Sequence, residues 1–232
     1  MIREKIAEGE ESIVFLPRTV HRYIKEHHLY EKDLFFDIGD EEISEIKRKL
    51  KKKLKRSRYT HTLGVASTCE ALAMRYGYPL RAAFTAGLLH DCAKGMTIDE
   101  QKRYCREHDI KISESEKKAP WLLHAKVGAD LASFKYSIDN EEILHAIRYH
   151  TTGCPDMTLL DKIVFIADYI EPQRHKQVRL AEVRAAAYID IDLALSMILS
   201  DTIRYLKNGG APIDETTLKT CEFYKDIKGF NT

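Results

Sequence analysis

The chain lacks paired-cysteine spacing, long apolar runs and sustained two-residue alternation, and each lack removes a class of protein. Its five cysteines, Cys69, Cys92, Cys105, Cys154 and Cys221, are odd in number and scattered. That argues against a disulfide framework or a zinc ribbon and predicts a reducing compartment. No stretch is apolar enough to span a bilayer, and the N-terminus has no signal-peptide hydrophobic region. No membrane association and a cytoplasmic location are therefore expected. An excess of one charge is also missing. With 37 Lys and Arg against 36 Asp and Glu, the net charge of +1 makes no electrostatic case for nucleic acid as a partner. The basic stretch from Lys47 to Arg58 reads as a solvated helix face with snorkelling lysines, ahead of a docking surface for an acidic partner.

What is present is a 232-residue chain, 44% hydrophobic and 31% charged, enough for one domain with a substantial core. Apolar residues recur at spacings of three and four, so the expected class is all-α. Residues 1–38 read as an appendage, with a helix opened by Pro17 and running through His28, and 39–232 as the main domain. A charged helix starts at Asp40, acidic early and basic late. The next one, with Ser57 as the expected N-cap, stops at Gly77 and puts His61, Val65, Cys69 and Leu72 on one face. Pro79 opens a helix rich in small residues that delivers His90. Thr97 and Glu100 form a capping box for a helix to about Glu107. A polar segment, 108–118, leads to a helix from about Pro120 to Phe134 carrying His124. Asp139 and Glu142 are the expected capping pair of a helix whose face holds Ile143, Ile147 and His150. A helix from about Leu159 to Ile170 aligns Leu160, Val164 and Asp168. Two more are expected near Val178–Tyr188 and Asp190–Lys207, and a last one from Asp214 to Tyr224.

The chain is organised around Leu88-Leu89-His90-Asp91-Cys92-Ala93-Lys94-Gly95. An imidazole and a carboxylate, adjacent where an apolar helix runs out, can share a cation, and Lys94 can meet an anion bound to it. The inward polar set is His61, His90, Asp91, His124, His150 and Asp168, from five helices. One such histidine alone is usually a hydrogen-bonded core residue. As a set they point to metal, because two buried carboxylates cost several kcal/mol each unless paired, and nothing basic shares their helical stripes. Six ligands suit two ions. Imidazole and carboxylate without thiolate indicate iron, manganese, cobalt or nickel, or zinc with open positions. Two ions bridged by a carboxylate would clamp a phosphate and activate a water, and Asp91 is the expected bridge. Lys94, Arg58, Thr151, Thr152 and Arg174 are the candidates for holding phosphate. For Arg58 and Arg174 a surface ion pair competes equally, and for the threonines a turn or capping role. His21, His27, His28, His108, His145 and His175 sit in polar settings or at segment ends and are read as ordinary histidines.

The ordered series His61, His90-Asp91, His124, His150 and Asp168 resembles the HD-domain metal-dependent phosphohydrolase superfamily. Arg58-Tyr59-Thr60-His61-Thr62-Leu63-Gly64-Val65, Ala86-Gly87-Leu88-Leu89-His90-Asp91-Cys92-Ala93-Lys94, Ile147-Arg148-Tyr149-His150-Thr151-Thr152-Gly153 and the stretch from Lys162 through Asp168 to Arg174 narrow it to the YqeK branch. The resemblance covers roughly residues 42–226. It implies an HD helical bundle and a symmetrical bis(5′-nucleosyl)-tetraphosphatase that cuts diadenosine tetraphosphate into two ADP and uses iron. Asp91 as the bridge and Lys94 as the cation facing developing charge are the expected catalytic residues. A nucleotidase or nucleoside-triphosphate hydrolase on the same scaffold, a di-iron oxygenase, and a non-catalytic metal- and nucleotide-binding module are the alternatives.

Residues 1–30, with Phe15-Leu16-Pro17-Arg18-Thr19-Val20 at their centre, resemble instead the C-terminal tail of bacterial nicotinate-nucleotide adenylyltransferases. That family's nucleotide-binding histidine motif and most of its sheet are missing, which excludes adenylyl transfer. The segment is expected to be the remnant of a fused or adjacent enzyme, or a truncated start. As a helical arm it would pack on the main domain or mediate self-association as a homodimer.

Overall fold

The computed structural model describes residues 38–209 and 213–226, with positions 17, 19, 20 and 22 nearer the start. The expected helix from Pro17 to His28 and the arm it belongs to lie largely outside the described residues. The chain divides into two compact units after Ile38, and the second runs from Gly39. Its described residues contain helices and no strands.

Eleven helices follow in order among the described residues of this unit: α1 (Asp40–Lys53), α2 (Arg56–Tyr76), α3 (Leu80–Leu89), α4 (Ile98–Glu107), α5 (Glu114–Lys118), α6 (Leu123–Tyr136), α7 (Glu141–Tyr149), α8 (Leu159–Ile170), α9 (Leu180–Ala187), α10 (Ile191–Gly209) and α11 (Glu215–Tyr224). Short 3₁₀ turns at Cys92–Gly95 and Pro120–Leu122 lead into α4 and α6. Helix α8 is the centre of the bundle. It packs against α2, α3, α7, α9 and α10, and buries Leu160, Ile163, Val164, Phe165, Ile166, Ala167 and Ile170. A helix apolar nearly all round is one surrounded by other helices.

Helices α2 and α3 approach closely because Gly87 faces Ala66 and Cys69. A Cβ at Gly87 would lie 2.7 Å from the Cys69 sulfur and 2.9 Å from the Ala66 Cα. That approach sets His61 beside His90, with ring centroids 5.4 Å apart.

Most boundaries follow local chemistry. Thr97 and Glu100 form the expected capping box of α4, and Gly77 ends α2 in the left-handed conformation. Three expectations are corrected. Helix α2 begins at Arg56, with Lys55 as an N-cap lacking a side-chain bond, so Ser57 lies inside the first turn. Asn140, not Asp139, caps α7: its side chain accepts from the Ile143 N–H at 3.0 Å, the spacing a cap requires. Glu142 is engaged by the Tyr78 hydroxyl. The polar segment 108–118 contains α5, opened by a Ser113–Glu116 capping box.

Candidate metal centre

His90 and His150 are C-caps, each at the end of the short helix that precedes it. Each donates Nδ1–H to the carbonyl three residues earlier, His90 to Gly87 and His150 to Ile147, both at 2.7 Å. Those carbonyls belong to the last helical turn, where no main-chain donor reaches them. His124 repeats the pattern on the Trp121 carbonyl at 2.6 Å. A carbonyl only accepts, so all three rings carry their hydrogen on Nδ1 and present a bare Nε2 inward. His61 is fixed differently. Its Nδ1 meets the buried Glu171 carboxylate at 3.0 Å and its Nε2 faces Asp168 Oδ1 at 3.1 Å.

The carboxylates join these rings into one cluster. Asp91, buried just before the 3₁₀ turn, divides its oxygens between the two sides. Oδ1 lies 3.4 Å from His124 Nε2 and 3.6 Å from His150 Nε2; Oδ2 lies 3.5 Å from His90 Nε2 and 4.0 Å from His61 Nε2. Asp168 Oδ1 sits 3.9 Å from His90 Nε2 as well as against His61. All six expected ligands therefore meet in one place.

The donor chemistry fits metal. His90 Nε2 is fully buried and has no hydrogen-bond partner. The Nε2 atoms of His124 and His150 face each other at 3.2 Å with no hydrogen between them. The sets His61–His90–Asp168 and His90–Asp91–His150 each bring their ligand atoms within 4.8 Å of one another. Imidazole nitrogens and carboxylate oxygens at these separations suit borderline divalent ions.

Electrostatics agree. Burial, followed by His150 alongside, pushes His124 down to about 3, so it stays neutral. Burial opposes ionisation of Asp91, yet His90 and His150 hold its carboxyl well below the usual range. Asp168 is likewise held low, burial being outweighed by the His61 bond, His90 and Arg174. For His61 burial works against protonation, but Asp168 and Glu171 raise it overall.

No base shares a helical stripe with either carboxylate, as expected, yet both carboxylates are paired by arginines from other segments. Arg58 donates to Asp91 Oδ2 at 2.7 Å, and Arg174 to Asp168 Oδ1 at 2.5 Å. Neither shares a stripe with its partner: Arg58 opens α2, and Arg174 turns back from the loop after α8. Both arginines remain about a third exposed. Lys94 is half-buried, and no hydrogen bond or ion pair fixes its ammonium among the described residues; burial lowers its pKa, against the pull of Asp91. Thr151 Oγ1 touches His150 Nε2 at 3.0 Å and His124 Nε2 at 3.2 Å. Thr152 instead donates to the Gly153 carbonyl, a turn contact.

Glu171, which the sequence marks only as a helix terminator, joins the cluster through His61. It stands one turn after Asp168, and that spacing was its available signal. Gly64 makes room for it: a Cβ there would lie 2.4 Å from Glu171 Oε2.

Comparison with known proteins agrees with this architecture. The HD domain family model matches residues 58–173. Symmetrical bis(5′-nucleosyl)-tetraphosphatase of Bacillus subtilis is 37% identical over 171 residues, covering 74% of this chain and 91% of that protein. Its counterpart in Halalkalibacterium halodurans is 39% identical over 175 residues, covering 74% and 90%. A crystal structure from Clostridium acetobutylicum, described as a predicted HD superfamily hydrolase involved in NAD metabolism, superposes with a TM-score of 0.77 at 35% identity over 80% of this chain and 98% of that one. The chain belongs to the HD-domain family of metal-dependent phosphohydrolases. Its matched relatives include proteins named symmetrical bis(5′-nucleosyl)-tetraphosphatase. No described helix is long and apolar enough to cross a membrane.

Proposed function

We propose that this chain hydrolyses diadenosine tetraphosphate symmetrically to two ADP, with His61, His90, Asp91, His124, His150 and Asp168 holding two ions, iron by preference. The observation that carries the reading is the buried, unpartnered Nε2 of His90, standing among three further imidazoles and two carboxylates. When bound, the ions would neutralise phosphate charge and acidify a water so that it can attack.

The chain's own side chains supply the rest. Asp91 places one oxygen towards each half of the cluster, the disposition a bridging carboxylate needs. Lys94, Arg58 and Arg174 offer cations to the non-bridging phosphate oxygens as charge develops. The Thr151 hydroxyl orients a phosphate oxygen beside His150. Water adds to one of the two central phosphorus atoms, the bond from that phosphorus to the bridging oxygen breaks, and that oxygen departs on the second ADP, with two protons released once both new terminal phosphates are fully ionised.

Next to the cluster a cleft lined by His150, Asp168 and Arg174 runs into a cavity of about 600 Å³. Thr151, Tyr169, Gln177 and Thr202 line both. Trp121, Tyr169 and Tyr205 give that cavity flat apolar walls and Lys176 a cation, which suits a nucleoside joined to phosphate. A net charge of +1 makes no electrostatic case for nucleic acid or an anionic membrane as the partner. In this reading 39–232 is the catalytic domain in the cytoplasm, and 1–38 an appendage able to mediate self-association.

The test is anaerobic purification, metal analysis, and separation of products from diadenosine tetraphosphate. ADP alone as nucleotide product supports the proposal. AMP with ATP, or turnover confined to mononucleotides, refutes it in favour of another HD-type hydrolase.

A further inference from the structure

Away from the main centre, on the side where α7 approaches the start of α8, His145, Cys154 and Asp161 come together. His145 Nδ1 meets Asp161 Oδ1 at 2.9 Å, and one donor atom from each of the three lies within 4.8 Å of the others. Asp161 and Cys154 are buried, whereas the His145 ring is partly open to solvent. We propose that these residues form a second metal site, for a zinc-class divalent ion, separate from the histidine–aspartate centre.

Three features carry this. The donor set is one thiolate, one imidazole and one carboxylate, which zinc prefers and which differs in kind from the sulfur-free main centre. The two anionic donors balance the charge of a divalent ion, so a filled site adds no net charge to a largely buried spot. The arrangement is also selective among cysteines. All five thiols are free and buried, yet among the described residues only Cys154 has both an imidazole and a carboxylate within ligand distance.

Geometry requires only a small adjustment. Ligand bonds of 2.0–2.3 Å in a tetrahedral site put donors about 3.6 Å apart. The His145–Asp161 contact would open by roughly half an ångström, and Asp161 would keep Oδ2 on the Thr158 N–H, its helix-capping bond. Solvent at the open side of His145 offers the fourth ligand. Burial, then Asp161, pushes the Cys154 thiol up to about 12, so the ion must displace the thiol proton as it binds. His145 lies at the middle of α7 and Asp161 in the first turn of α8, and an ion would tie the loop after His150 to both.

The experiment uses the reduced full chain, stripped of metal and titrated with cobalt(II) as a spectroscopic stand-in for zinc. The expected result is a near-ultraviolet sulfur-to-cobalt charge-transfer band, which the main centre cannot produce. Cys154→Ser should abolish the band, and after zinc loading and dialysis it should hold one zinc fewer per chain than the wild type. His145→Ala, at a partly open position with little risk to folding, should weaken cobalt binding by at least about tenfold. No band with cobalt in excess, an equal band in Cys154→Ser, or equal zinc content would overturn the site. None of these results depends on which nucleotide the enzyme hydrolyses.

Discussion

The Nε2 atoms of His124 and His150 face each other at 3.2 Å, although both are hydrogen-bond acceptors, because each ring has committed its hydrogen to a main-chain carbonyl. Two lone pairs at that distance repel in a buried setting. A cation beside them turns the repulsion into shared attraction. Chelation should therefore destabilise the fold as well as stop turnover. With free metal about a hundredfold above Kd, loss of binding lowers the thermal midpoint by about 5–10 °C for a unit of this size. Calorimetry with and without chelator checks this; an unchanged midpoint would contradict it.

Acid should act on the metal-free chain through His124. Its folded pKa, about 3, lies below its ordinary 6.5. Between those values the unfolded chain takes up a proton that the folded chain refuses, so stability is full above pH 6.5 and falls as pH drops towards 3. The slope from this group is about 1.4 kcal/mol per pH unit. Urea midpoints at pH 7.5, 6 and 5 should descend in that order, and more steeply than in His124→Gln.

Asp91 reaches both halves of the cluster, so Asp91→Ala should lose the metal of the histidine–aspartate centre and all turnover together. Elemental analysis beside an activity assay tests this. A variant still active with the histidine–aspartate centre empty would refute the role given to Asp91.

Glu171 holds His61 by Nδ1 and also accepts from the Gln173 N–H at 2.7 Å. Glu171→Gln keeps the shape and removes the charge that makes His61 a better donor. Metal affinity should fall by about 10–100-fold with the fold intact. Metal titration followed by circular dichroism distinguishes this from simple unfolding.

Gly87→Ala tests the close approach of α2 and α3. The added methyl meets main-chain Ala66, which cannot swing aside, so a loss of about 1–3 kcal/mol is expected. Denaturant melts would show it, and a neutral result would mean the helices slide at no cost.

Local signals carried the sequence reading far. The 3.6-residue spacing of His61, Val65, Cys69 and Leu72 described a buried face, and all four are buried. The helix from Leu159 to Ile170 has the expected ends. The capping box at Ser113 and Glu116 was equally legible but lay in a segment too polar to suggest a helix. What stayed hidden was non-local. Glu171 meets a histidine 110 positions away, and Arg58 meets a carboxylate 33 away. Helical periodicity cannot report such pairings, because it describes one element at a time. For the same reason His145 read as an ordinary polar histidine, while its Asp161 neighbour lies on the next helix.

Three imidazoles anchored to the carbonyl three positions before them leave little play in χ1 or χ2. The aperture between their nitrogens is thus dictated by how whole helices lie against one another, and side-chain rotation contributes almost nothing. Adapting such a socket to an ion of different radius would require sliding a helix, so metal preference here should drift slowly under point substitution and change abruptly when the packing around α3 or α7 is altered.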